Sequence, residues 1–153
     1  MKKNMMKKPR KLLCYIDFSD HSYYLVEYAF ELSQLIDAEL FVLHSVTDIK
    51  KAAGFYVPHV NTELLEDQVV KAARDKMYAI CNQTVGDRID ADHRLVTQGS
   101  PVEDINRVIE EKQIELVVMS HEVAKGSLYG FKSDYVERFM KNATIPFLVL
   151  PVK

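Results

Sequence analysis

The chain is poor in the residues and patterns that mark several large functional classes, and each shortage excludes something. It has only two cysteines, Cys14 and Cys81, with no C-x-x-C spacing. Cys14 lies inside an apolar run and Cys81 near the end of a helical pattern, so both read as buried thiols of a reducing compartment and not as a disulfide framework. His21, His59 and His93 are scattered, without H-x-x-x-H spacing, and no metal site is expected. No apolar stretch approaches the ~20 residues of a membrane span. A formal net charge of −2 gives no general reason to expect nucleic acid or an anionic membrane as a partner. Glycine is scarce, five in all, and absent from the turn after the first apolar run, which excludes the glycine-rich dinucleotide fingerprint.

What is present describes one globular domain. The chain has 153 residues, 48% apolar and 27% charged, enough to bury roughly 70% of the surface of its unfolded form. Residues 1–11 carry Lys2, Lys3, Lys7, Lys8, Arg10 and Lys11 without an acid, and read as a basic, flexible tail. The apolar run after it is too short for a signal peptide and ends in Asp17, so the expected location is cytoplasmic. Residues 12–153 form the domain.

The chain is organised around Leu12-Leu13-Cys14-Tyr15-Ile16-Asp17, a continuous apolar run typical of a strand buried on both faces. Apolar residues at three-and-four spacing predict a helix over 20–36, with Ser19 as its cap. Leu40-Phe41-Val42-Leu43 is a second strand, and residues 48–59 are a loop. A long amphipathic helix follows over 61–83, then an alternating third strand, Arg94-Leu95-Val96-Thr97. Ser100-Pro101-Val102-Glu103 has the form of a capping box with proline at the first helical position. Leu116-Val117-Val118-Met119 is a fourth strand, residues 120–132 are a polar loop, and Ser133 caps a last helix. Phe147-Leu148-Val149-Leu150, between Pro146 and Pro151, is the fifth strand.

Alternating strands and helices predict an α/β fold, a doubly wound five-stranded parallel sheet with helices on both faces. The polar third strand and the proline-flanked fifth are suited to edges, which favours the order 3-2-1-4-5. In that order the crevice at the topological switch lies beyond the carboxyl ends of strands one and four. Asp17 and Phe18 line one side of it, Ser120, His121 and Glu122 the other, with His44 and Ser45 on the flank.

Five segments, Tyr15 to Ser22, Ala38 to His44, Glu115 to His121, Val136 to Phe139 and Ile145 to Pro151, resemble the universal stress protein family in the right order. The resemblance implies the fold already read from the pattern and a role in stress response. It is nearest to the branch typified by universal stress protein A, which lacks the ATP-binding pattern G-x2-G-x9-G-[ST]. Counted back from the last helix, that pattern falls on Ser120, Val123, Ser133 and Asp134, all departures. Asp134 puts a carboxylate at a helix amino end, where a phosphate would otherwise be favoured. Gly126 and Gly130 leave a rearranged cradle open, so the cofactor-binding candidates are the crevice residues Asp17, Phe18, Ser45, Ser120, His121, Gly126, Gly130, Ser133 and Asp134. No cofactor is expected, the alternative being ATP bound by a divergent loop, with slow hydrolysis or a nucleotide-dependent change of shape.

Asp17, His44, Ser120 and His121 include the residue types of a nucleophile, base and orienter, but no G-x-S-x-G elbow surrounds Ser120, and no catalytic residue is assigned. The apolar edge of Phe147, Leu148, Val149 and Leu150 calls for cover, and a second copy of the same strand is the simplest cover. The resemblance also implies a homodimer through this strand. The expectation is therefore a non-catalytic dimer acting through protein or small-ligand binding.

Overall fold

The computed structural model describes residues 7–47, 62–122 and 134–152, with the side chains of 62–64, 122, 134 and 152 left undescribed. The loop expected over 48–59 and most of the basic tail lie outside these residues. Strands β1 (Lys11–Tyr15), β2 (Glu39–Val46), β3 (Arg94–Gln98), β4 (Leu116–Glu122) and β5 (Phe147–Val152) alternate with helices α1 (His21–Leu35), α2 (Thr62–Val85), α3 (Pro101–Lys112) and α4 (Asp134–Asn142). Two single 3₁₀ turns, Gly86–Arg88 and Ala91–His93, lead into β3. The sheet is parallel throughout, in the order β3-β2-β1-β4-β5.

The period-two alternation of each strand divides the core. On one face Leu12, Cys14, Leu40, Val42, Val118 and Leu150 pack under α1 and α2 through Leu25, Val26, Phe30, Met77 and Ile80. On the other, Leu13, Tyr15, Phe41, Leu43, Val117 and Met119 pack under α3 and α4 through Ile105, Val108, Val136 and Phe139. The interior strands β1, β2 and β4 carry apolar side chains at successive positions because both their faces are covered. The edges are β3 and β5, whose side chains are mostly half-buried.

Several boundaries differ from the sequence reading. β1 begins at Lys11, the last residue assigned to the tail, and Arg10 O accepts the Glu39 N–H at 2.9 Å. β4 runs on through Ser120, His121 and Glu122, which pair with Leu150, Pro151 and Val152 of β5. Their polarity suggested a loop, but strand pairing is made by the backbone and tolerates polar side chains where a strand leaves the core. α3 starts at Ser100 as expected, but no side-chain bond caps it. The buried acid there is Asp104, not Glu103.

Candidate functional site

Parallel strands bring their carboxyl ends to one edge of the sheet, and there β1 leaves through Ile16, Asp17 and Phe18. Asp17 Oδ1 accepts the Ser19 N–H at 2.9 Å and, more weakly, the buried Ser22 hydroxyl at 3.5 Å. This is an Asx turn, in which a short carboxylate accepts the backbone amide two residues on and shapes the chain as it enters the helix. The N-cap of α1 is Asp20, without a side-chain bond, so the cap expected at Ser19 is not formed by a side chain; the Ser19 carbonyl accepts the Ser22 N–H at 2.9 Å instead.

Phe18 sits in the left-handed region with φ 64°. An L side chain is strained there, and the conformation persists because it turns the ring onto His44, with centroids 3.6 Å apart and planes 18° from parallel. His44 Nδ1 lies 2.8 Å from Ile16 O. A carbonyl can only accept, so Nδ1 carries the proton and, in the neutral ring, Nε2 keeps the lone pair. Burial pushes the His44 pKa below its ordinary value, with nearby Lys76 acting in the same direction and the Ile16 carbonyl and Asp17 opposing. Lys76 Nζ stands 5.8 Å from the Phe18 ring centroid.

On the α3 and α4 face, Tyr15 meets Tyr135 edge-on at 5.2 Å. Burial pushes the Tyr15 hydroxyl up to about 12, with contacts to Ser45 opposing it. A polar chain continues from Ser45. Thr97 Oγ1 donates its one proton to Asp104 Oδ2 at 2.7 Å, so Ser45 Oγ, 3.3 Å away, is the donor to Thr97. Asp104 is 1% exposed and also takes an ion pair from Arg107 at 2.9 Å. Gly99, at φ +149°, makes room for that carboxylate, since a Cβ there would lie 3.0 Å from Asp104 Oδ1.

Of the residues expected in the crevice, Asp17, Phe18, Ser45, Ser120 and His121 all occur at carboxyl ends of adjacent strands. His121 Nδ1 is buried without a partner among the described residues. Gly126, Gly130 and Ser133 lie outside the described residues, as does the side chain of Asp134, the first residue of α4. The chemistry these groups can do is narrow. Asp17 is turned to its own chain and the His44 donor goes to a carbonyl, so the two do not form a base and its orienter. Sequence reasoning did not single out Tyr15, Thr97 or Asp104, or the Phe18–His44 stack.

One grouping among the described residues has metal-ligand geometry: Asp90, Asp92 and His93 hold ligand atoms within 4.8 Å of one another. It lies at the amino end of β3, away from the crevice. His93 Nδ1 is already bonded to Leu40 O at 3.2 Å and its ring is stacked on Phe41.

The family model for the universal stress protein family matches residues 8–151. Among curated proteins none matches the chain. Several solved structures resemble it over nearly the whole of both chains. A universal stress protein family member from Burkholderia pseudomallei is 18% identical, with 93% of this chain and 96% of that one covered and a TM-score of 0.64. The universal stress protein UspA of Lactobacillus plantarum is 18% identical over 95% and 99% of the two chains, with a TM-score of 0.62. A universal stress protein solved in complex with cAMP is 15% identical over 96% and 100%, at 0.61. At these identities the likeness is one of fold.

Proposed function

The chain belongs to the universal stress protein family, and from that premise we propose that it is a cytoplasmic, non-catalytic, homodimeric stress-response protein that works by binding proteins or small ligands, without strong ATP binding. The observation that carries this reading is the internal engagement of the crevice groups. Asp17 is held by Ser19 and Ser22, and His44 is tied to Ile16 O and covered by Phe18. Both are engaged by their own chain, and they do not pair with each other as a base and its orienter. The departures at Ser120, Val123, Ser133 and Asp134 from the phosphate-binding pattern point the same way: the first three give up glycine, and Asp134 brings a carboxylate, for which like charge at a few ångströms costs on the order of 1 to 4 kcal/mol at intermediate dielectric.

The geometry of β5 supports the dimer. Pro146 O accepts the Val117 N–H at 3.2 Å, so residues 146, 148, 150 and 152 turn their backbone groups to β4. Phe147 and Val149 therefore turn their N–H and C=O groups to the outer edge, where no strand among the described residues pairs with them. Pro151 shares their orientation and has no N–H, which ends the run of donors. A second copy of β5 fits a free edge of this length.

A second reading, a nucleotide-binding protein with a divergent phosphate loop, draws support from the structural neighbour solved with cAMP. Melting temperature separates the two. A ligand at ~100 times its Kd adds about 2.7 kcal/mol to the native state, a shift of several degrees for a domain this size. The first reading expects no shift with millimolar Mg-ATP. A shift that disappears in the Gly126→Ala/Gly130→Ala variant supports the second reading through those glycines, and one that survives places the phosphates elsewhere.

A further inference from the structure

At the edge opposite β5, β3 has no second neighbour among the described residues. The Gly99 N–H bonds to Val46 O at 3.1 Å, so the backbone groups of 95, 97 and 99 turn to β2. By the same alternation Val96 and Gln98 turn their N–H and C=O groups outward, and Arg94 its C=O, the Arg94 N–H being bonded to Ala91 O; no strand among the described residues pairs with these groups. A hollow of about 360 Å³ runs along this edge between α2 and α3. Its charged lining is Arg74, Arg94, Arg107 and Lys112 against Asp92 and Glu111.

The acids do not neutralise the cations. Arg107 takes both Asp104, at 2.9 Å, and Glu111, at 3.8 Å. Arg94 is fixed by neutral acceptors, Ile89 O at 2.8 Å, Gly86 O at 3.3 Å and Asn82 Oδ1 at 3.4 Å, and lies over the Tyr78 ring at 5.3 Å. Arg74 and Lys112 have no carboxylate partner among the described residues. Among the described residues, three cations thus face one remaining exposed acid, Asp92, beside the outward backbone groups of Val96 and Gln98.

We propose that this groove is a docking site for an acidic, extended segment of a partner protein, which adds to β3 as a sixth strand and places its carboxylates on Arg74, Arg94 and Lys112. Backbone pairing supplies the affinity in such strand addition, and the flanking charges supply selectivity and register. Two features favour a peptide over a free polyanion. The outward N–H and C=O groups of Val96 and Gln98, with the Arg94 C=O, repeat at strand spacing, and the cations flank that row without forming an extended basic surface. The site is distinct from the carboxyl-edge crevice and from β5.

A fluorescein-labelled peptide of alternating Glu and Val, titrated with the full-length protein and followed by anisotropy at low ionic strength, tests this directly. The expected result is saturable binding that weakens as salt shortens the Debye length, with a Lys-Val peptide failing to bind. Charge reversal at two exposed positions, Arg74→Glu/Lys112→Glu, is expected to weaken it about tenfold. A peptide N-methylated at alternate residues is expected to lose binding altogether, and this arm requires no altered protein. Failure of the Glu-Val peptide to bind, or equal binding of its N-methylated form, overturns strand addition. Equal competition by single-stranded RNA overturns the peptide assignment.

Discussion

Phe18 offers a substitution pair whose sign is set by one dihedral angle. At an ordinary helix or strand position alanine is more stable than glycine by about 0.5 to 1 kcal/mol. At φ 64° the order reverses, because the left-handed conformation costs a non-glycine residue about 1 to 2 kcal/mol that glycine avoids. Phe18→Ala and Phe18→Gly both lose the ring stacked 3.6 Å over His44, a contact worth about 0.5 to 1.5 kcal/mol, so that loss cancels between them. Phe18→Gly should therefore be the more stable variant by about 1 kcal/mol. For a chain of 153 residues that corresponds to about 2 to 4 °C in Tm. Urea denaturation of the two variants side by side measures it, and equal stability, or an advantage for alanine, refutes the strained stack. In both variants His44 becomes more accessible, and its pKa, followed by NMR, should move up toward 6.5.

Other expectations follow from the same contacts. Burial holds His44 neutral, so below its ordinary pKa of 6.5 the unfolded chain binds a proton that the folded chain resists. The His44 contribution to stability is fully present above about pH 6.5 and is lost as pH falls toward the lowered folded value; His44→Gln should flatten this slope in urea titrations between pH 7.5 and about 5.5. Cys81 is pushed up to about 11 and Cys14 higher still, both by burial. Neither should react with a thiol reagent at about pH 8 in the native protein, and both should react in denaturant. Asp104→Ala removes the acceptor of Thr97 and Arg107, and should cost about 1.5 to 3 kcal/mol, read as a lower urea midpoint at unchanged slope. The cost stays within that range because the Arg107 side chain is 47% exposed and can turn to water.

The sheet order was legible because composition reports burial. Leu12 to Ile16, Leu40 to Leu43 and Leu116 to Met119 are apolar at every position, as interior strands require, while Arg94 to Thr97 alternates and Phe147 to Leu150 is flanked by prolines. The ends of strands were less legible. Ser120 to Glu122 continue β4 because β5 supplies a backbone partner as far as Val152, and side-chain polarity does not report that pairing. Within the site, Asp17 was recognisable as a turn residue, but its role as the acceptor for Ser19 and Ser22 competed with an equally ordinary cap at Ser19. The Phe18–His44 stack joins a residue of the turn after β1 to one on β2, and the positive φ that permits it has no glycine to announce it. Asp104 was hidden by its neighbour Glu103, which fits the capping-box spacing but is exposed. Thr97 and Gly99, close upstream, are the residues that could have pointed to a buried carboxylate.

Mass spectrometry of the purified protein, first native and then denatured, tests the proposed function most directly. The account predicts a dimer from which no adenine nucleotide is released on denaturation. A monomer, or ATP or another adenine nucleotide carried through purification, would contradict it.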